Sequence, residues 1–366
     1  MNPVPYFSQR YAEARDKFLT AAQARGARIF REVHPSDQGA DGEELSIDVA
    51  CIGDGNAAGL LLLSSGTHGV EGFCGSGCQV ALLHDEVFVG EVERAGVGVL
   101  MLHALNPYGF SHLRRANEDN IDLNRNFMDF RGELPANPAY LDLHPRLLPE
   151  AWPPVPENES ELAAWVAKHG VKAYQAAISG GQYQLVDGMF YGGARASWSN
   201  ACLRAILRAE AAPRTRLGWI DFHTGLGPRG HGEKIYAGPD AAADIARARA
   251  WWGDELTSYY DGSSSSARVS GVVCNAAFQE CPRTEVTAIA LEYGTYPLEQ
   301  ALQAMRAEHW LHNHPQAPAA QRASIKRQMR DMFYVDSDDW KTTVYAQARS
   351  AALVAIARLS AQPIRT

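Results

Sequence analysis

The sequence predicts an α/β fold with a mixed, mostly parallel central sheet and helices on both faces. Three observations carry this expectation. Four short segments are apolar throughout, as strands covered on both faces are: GLLLLSSG (59–66), GVGVLMLHAL (96–105), LGWIDF (217–222) and VTAIAL (286–291). Segments of helical periodicity lie between and after them. Residues able to do chemistry follow the apolar runs directly, where open α/β sheets bind their ligands.

Taken in order, residues 8–25 read as a helix rich in Ala, Arg, Glu and Lys. ELSIDVACI alternates apolar Leu45, Ile47, Val49 and Cys51 with smaller or polar residues and reads as a half-exposed strand. Helices are expected over 72–86, 160–169, 198–210, 240–260, 298–313, 317–332 and 340–360, with Ser160 as an N-cap, Gly170 as a stop and Pro297 in a first turn. Seven prolines fall between 135 and 156, so the stretch near 131–158 is expected to be an irregular surface insertion in a single 1–366 domain. GSSSSARVSG (262–271) reads as a flexible loop, and GPRGHGEKIY (227–236), with His231 and Glu233, as a solvated one.

Composition bounds the function. Of 366 residues, 46% are hydrophobic and 21% charged, enough apolar material for a substantial core. The net charge of -8 argues against general affinity for nucleic acid or an anionic membrane. No stretch approaches the ~20 apolar residues of a membrane span. The N-terminus has no basic start followed by an apolar run, so a cytoplasmic protein is expected. The six cysteines, at 51, 74, 78, 202, 274 and 281, show no CxxC spacing and are expected to be reduced core thiols.

Four strand ends carry the chemistry. In SSGTHGVEGF, His68 and Glu71 follow the leucine run 60–63 three residues apart, among glycines that allow a tight bend. A catalytic zinc takes three N/O ligands and leaves one position open, and His-x-x-Glu supplies two from one turn of backbone. His223, in WIDFHTGLG, is placed to be the third; Asp221 before it is either its partner or part of the strand end. LNPYGFSHLRRANEDNIDLNRNF (105–127) presents Arg114, Arg115, Asn124 and Arg125, and the planar arginine fork suits carboxylates and oxyanions. Glu292, in AIALEYGTYP, ends an apolar strand, where a carboxylate is costly unless it faces a polar cleft or a partner.

With its NPYGF and DLNRNF segments and the spaced His and Glu, the order H-x-x-E, R…NR, H, E resembles the zinc carboxypeptidases. These are the carboxypeptidase A-like metallopeptidases and their aspartoacylase and succinylglutamate desuccinylase cousins. The resemblance runs from about 59 to 296 and is nearest to a bacterial, mostly uncharacterised branch. It implies one zinc ion (Zn2+) held by His68, Glu71 and His223, with Glu292 as general base and acid. It implies Arg115, with Arg114 as the competing position, as the group that polarises the scissile carbonyl. Asn124 and Arg125 match the pair that grips a substrate's terminal carboxylate. The substrate-side tyrosine of the family has no secure match; Tyr293 and Tyr296 are nearby. The implied activity is amide hydrolysis next to a free carboxylate, by a carboxypeptidase or by a deacylase of N-acyl amino acids. A non-catalytic binding protein on the same scaffold is the reading of a different class.

Two other features stand apart. SGGQYQLVDGMFYGGARASWSN (179–200) is either a rim of the cleft or a structural β-excursion. His312 and His314, at a helix end marked by proline, read as surface residues.

Overall fold

The computed structural model describes residues 1–360. Helix α1 (Tyr11–Ala24) leads into an antiparallel pair, β1 (Arg28–Gln38) and β2 (Glu44–Gly53), and then β3 (Gly59–Ser64). Helices α2 (Gly72–Leu83) and α3 (Glu86–Ala95) precede β4 (Gly98–His103), which is followed by the short α4 (Pro107–Ser111). Helices α5 (Pro138–Leu147), α6 (Pro156–His169), α7 (Val171–Ser179) and α8 (Trp198–Ile206) come before the long β5 (Arg216–Arg229) and β6 (Gly232–Tyr236). Then follow α9 (Ala242–Trp252), α10 (Asn275–Glu280), β7 (Glu285–Gly294), α11 (Leu298–Asn313), α12 (Ala319–Phe333) and α13 (Asp338–Ser360).

The seven strands form one sheet in the order β1-β2-β4-β3-β5-β7-β6. The central four, β4, β3, β5 and β7, run parallel, and antiparallel strands flank them on both sides. The expected mixed α/β sheet is the one observed. One face packs against α1, α2, α3, α9 and α13 through residues such as Phe18, Val80, Phe88, Trp252 and Val344. The other packs against α8 and α10 through Leu203, Ile206 and Ala276. A third apolar cluster joins α5, α7, α11 and α12 around Val70 and Phe190.

On that second face the strands change character along their length. Leu60 and Leu62 give way to Ser64; Leu217 and Trp219 give way to Asp221 and His223; Val286 and Ala288 give way to Ala290 and Glu292. Side chains two apart share a face, so this apolar layer becomes a polar wall at the carboxyl ends of the parallel strands. Register aligns the wall: Ser64 pairs with Asp221, and His223 with Glu292.

Several elements differ from expectation. The proline-rich stretch contains helix α5 and the start of α6, because Pro138 and Pro156 sit in their first turns, where a missing N–H costs nothing. Tyr140, Leu143, Leu147 and Leu162 are buried there. Helix α6 therefore starts before Ser160, whose hydroxyl bonds back to the Pro156 carbonyl (2.9 Å); Gly170, at φ 88°, does end it. The segment 227–236 contains the edge strand β6 and buries Glu233, while His231 is exposed. The helix expected over 240–260 stops at Trp252, where Gly253 takes φ 94°. Strand β1 and helices α3, α4, α7 and α10 were not foreseen. All six cysteines are free thiols. Among the described residues, no helix is long and apolar enough to cross a membrane.

Candidate metal centre and cleft

The bend after β3 is a single turn over Gly69–Glu71 that runs straight into α2, and it places His68 and Glu71 side by side. The adjacent parallel strand β5 delivers His223 to the same point. His68 Nδ1 lies 2.9 Å from Glu71 Oε1, His223 Nδ1 lies 3.2 Å from Glu71 Oε2, and the two Nδ1 atoms are 3.2 Å apart. All three side chains are buried, and their ligand atoms lie within 4.8 Å of one another. Two imidazole nitrogens facing each other at that distance can share at most one hydrogen. The donor set is better satisfied by one cation than by protons.

The outer nitrogens are braced. His223 Nε2 is 2.6 Å from Asp221 Oδ2, so Asp221 is a partner of the histidine and not merely the strand's end. That carboxylate also accepts from Ser64 Oγ (2.6 Å) and Thr67 Oγ1 (3.0 Å). One buried acid thus ties together the end of β3, the His68 bend and β5. His68 Nε2 lies 3.3 Å from Asp122 Oδ1, and Arg115 Nη2 is 2.7 Å from the same nitrogen. Glu71 accepts from the Thr224 amide (3.1 Å) and from Arg115 Nη1 (3.2 Å). Although burial opposes its charge, the surrounding imidazoles hold the Glu71 carboxyl far below the usual carboxylate range.

The two arginines at 114 and 115 part company. Arg115 lines the cleft, bonds Asp122 Oδ2 through Nε (2.9 Å) and lies over the Phe190 ring at 5.0 Å. Arg114 turns the other way and is fully buried. It bonds Glu308 of α11 (2.9 Å) and Asn120 (2.8 Å) and does not line the cleft, so its placement corrects the expectation of a substrate contact. Backbone bonds stitch this loop to the metal bend: Gly69 and Val70 donate to the carbonyls of Arg115 and Arg114.

Asn124 and Arg125 sit in the turn after Asp122, and both line the cleft. Asn124 Oδ1 accepts from the Val273 amide (2.9 Å). Arg125 is buried and donates to two main-chain carbonyls, Ser179 (Nε, 3.0 Å) and Asn124 (Nη1, 2.8 Å). Among the described residues it has no carboxylate partner. Burial, with Arg115 nearby, draws its pKa down despite the attraction of Asp122. A buried guanidinium that lines a cleft without a carboxylate partner is chemically suited to an anion.

Glu292 faces the same cleft from the end of β7 and accepts from the Leu226 amide (3.0 Å). Burial, reinforced by the charge of Glu71, raises its pKa to about 8. The cleft offers a cavity of about 130 Å³.

Neither tyrosine near Glu292 reaches this space: Tyr293 is buried in the core and Tyr296 is exposed. Tyr259 lines it instead, and reading 240–260 as one helix hid it. The stop at Gly253, a glycine after the paired tryptophans, was the available signal. The segment 179–200 does border the cleft, through Ser179 and Phe190. Phe190 holds φ 53°, a conformation that costs a non-glycine residue about 1–2 kcal/mol and sets its ring beneath both arginines. His312 and His314, expected at the surface, are half-buried.

Among solved structures, the chain is similar to thrombin activatable fibrinolysis inhibitor, with TM-score 0.56, 9% identity and coverage of 96% of this chain and 74% of the other. It is also similar to carboxypeptidase A from Helicoverpa armigera, with TM-score 0.44, 12% identity and coverage of 94% and 74%. A metallo-carboxypeptidase from Pseudomonas aeruginosa gives 0.37, 15%, 94% and 71%. At 9% identity the first of these likenesses concerns the fold alone, and the fold is the carboxypeptidase-like one expected from the motifs. No curated protein matches in sequence. Over residues 7–347 the chain matches the DUF2817 family, described as a protein of unknown function, and it belongs to that family.

Proposed function

We propose that this protein is a zinc-dependent hydrolase that cleaves an amide bond next to a free carboxylate, most simply as a metallocarboxypeptidase. The observation that carries this reading is the pairing of a His68–Glu71–His223 cluster with a buried, carboxylate-free Arg125 in one cleft. Two imidazoles and one carboxylate form a donor set suited to zinc, with room for solvent in a fourth position.

His68 Nδ1, the Glu71 carboxylate and His223 Nδ1 would hold the ion, which supplies Lewis acidity for water and carbonyl when bound. The remaining work falls to the chain's own groups. Arg125 and Asn124 bind the substrate's carboxylate and so fix the scissile bond, an ordering worth a large part of a hydrolase's rate. Glu292 takes the proton from the attacking water and passes it to the departing nitrogen. A pKa raised toward neutrality suits a group that must both accept and donate. Arg115 donates toward the carbonyl oxygen as negative charge builds there.

The same groups serve an N-acyl-amino-acid deacylase, which also presents a free carboxylate beside an amide. Two measurements test the proposal: zinc content of the purified protein, and chelator-sensitive release of C-terminal residues from peptides compared with cleavage of N-acyl amino acids. Stoichiometric zinc and cleavage of either class are expected. A protein that takes up no zinc and cleaves neither class is not this enzyme.

A further inference from the structure

The cavity is small for a substrate. Pockets that hold a small ligand offer about 300 Å³ or more, and this one offers about 130 Å³. Two walls narrow it: helix α7, through Gln175 and Ser179, and the serine-rich segment 262–271, through Ser266, Ala267 and Val269. They meet where Gln175 Nε2 donates to the Ser265 carbonyl (3.2 Å).

The two walls are held unequally. Behind the serine-rich segment, the buried carboxylate of Glu233 accepts from Thr257 Oγ1 (2.5 Å), the Ser265 amide (3.1 Å) and Ser265 Oγ. The acid that sequence placed in a solvated loop thus fixes that wall. Helix α7 buries only Ala177 and Ile178 and lies between two glycines of positive φ, Gly170 (88°) and Gly181 (93°). One side chain, Asn137, ties its last turn to the start of α5 by donating to the Ala177 and Gly181 carbonyls. The Gln175 bond faces solvent, where water replaces it at little cost. Of the two walls, α7 is the one free to move.

The end of α7 also occupies the anion site. Ser179 ends the helix, where carbonyls have no partner within it and carry its negative dipole end. Arg125 donates to the Ser179 carbonyl from both Nε (3.0 Å) and Nη2. Those are the two donors with which one edge of a guanidinium grips both oxygens of a carboxylate. Here they converge on one uncharged oxygen. A carboxylate offers a second oxygen and a full charge, so it is the stronger partner for the same edge.

We propose that α7 is a self-inhibiting flap: its Ser179 carbonyl holds the carboxylate-binding edge of Arg125 and its Gln175 narrows the cleft, until a substrate's carboxylate displaces the carbonyl and frees the helix. The proposal rests on the carboxylate-anchoring reading above and adds its regulation.

Hydrogen exchange of the full-length, zinc-loaded protein tests it, with propanoate as the probe and sodium chloride at equal ionic strength as the control. Exchange at amides 171–180 should accelerate at least about threefold as propanoate binds. Gln175→Ala, which removes the bond across the cleft, should tighten propanoate binding by about 2–10-fold in calorimetry. Propanoate can also reach a cation at His68, Glu71 and His223, and Arg125→Ala separates the two sites. If binding needs Arg125 but exchange at 171–180 stays level or slows, the flap alone is overturned. If propanoate binds neither the unaltered protein nor Gln175→Ala, or binds as well after Arg125→Ala, the anchoring reading falls and the flap with it.

Discussion

Asp221 and Glu292 occupy the same sheet face one strand apart, yet they have opposite work. Asp221 is a brace: it holds His223 directly and the His68 bend through Thr67. Losing a carboxylate behind a metal-binding histidine typically costs 10–100-fold in metal affinity. Asp221→Asn should therefore weaken zinc binding by about that factor in a chelator competition while the fold persists. Glu292 lines the cleft as the proposed proton carrier. Glu292→Gln should lower turnover by about 10²–10⁴-fold and leave zinc stoichiometry unchanged, as metal analysis beside the peptide assay would show. Sequence made both residues visible as polar endings on apolar runs. It could not assign Arg114 and Arg115, because adjacent residues in a loop diverge according to which neighbour each meets. Glu308, which claims Arg114, lies 194 positions away.

At the scale of elements, the metal bend and the arginine loop form one unit. A Cβ added to Gly69 would come within 2.1 Å of the Gly109 carbonyl carbon, so α4 and the bend touch backbone to backbone. Gly69→Ala should lower the unfolding midpoint in urea by the equivalent of at least about 2 kcal/mol and loosen zinc with it. Strand β6 shows where periodicity fails. GEKIY is five residues long, begins at a glycine and carries two charges, so nothing in it announces a strand. Only pairing with β7 makes it one, and that partner lies more than fifty residues further along. The four central strands needed no such help, because burial on both faces writes itself as an unbroken apolar run.

At the scale of the molecule, the site is held from behind by a buried polar network. Glu308 bonds Arg114 and Lys326, and His309 meets Asn120 and the Gly188 carbonyl. Burial, with the Arg114 charge, lowers the pKa of His309 to about 3. For Glu308 burial works the other way, but Arg114 and Lys326 prevail and bring it to about 2. Both groups bind protons more readily once unfolded. The His309 contribution is complete above about pH 6.5 and declines as pH falls toward 3; that of Glu308 is complete above its ordinary pKa and declines toward 2. The zinc-loaded protein should thus lose stability between pH 7 and pH 5 in urea titrations, by up to about 1.4 kcal/mol per pH unit for each imidazole. His309→Gln should flatten that dependence. The overall architecture was legible because parallel strands, helices and strand-end chemistry all point to one arrangement. This network was not, since none of its members is unusual until the fold brings them together.

The strut from Glu308 also sets an order of events. A ribosome releases His68 and Glu71 early, His223 155 residues after His68, and the acid that seats the arginine loop later still. The cleft is therefore finished only after Glu308 has been made, and under the proposed function a shorter nascent chain would lack activity.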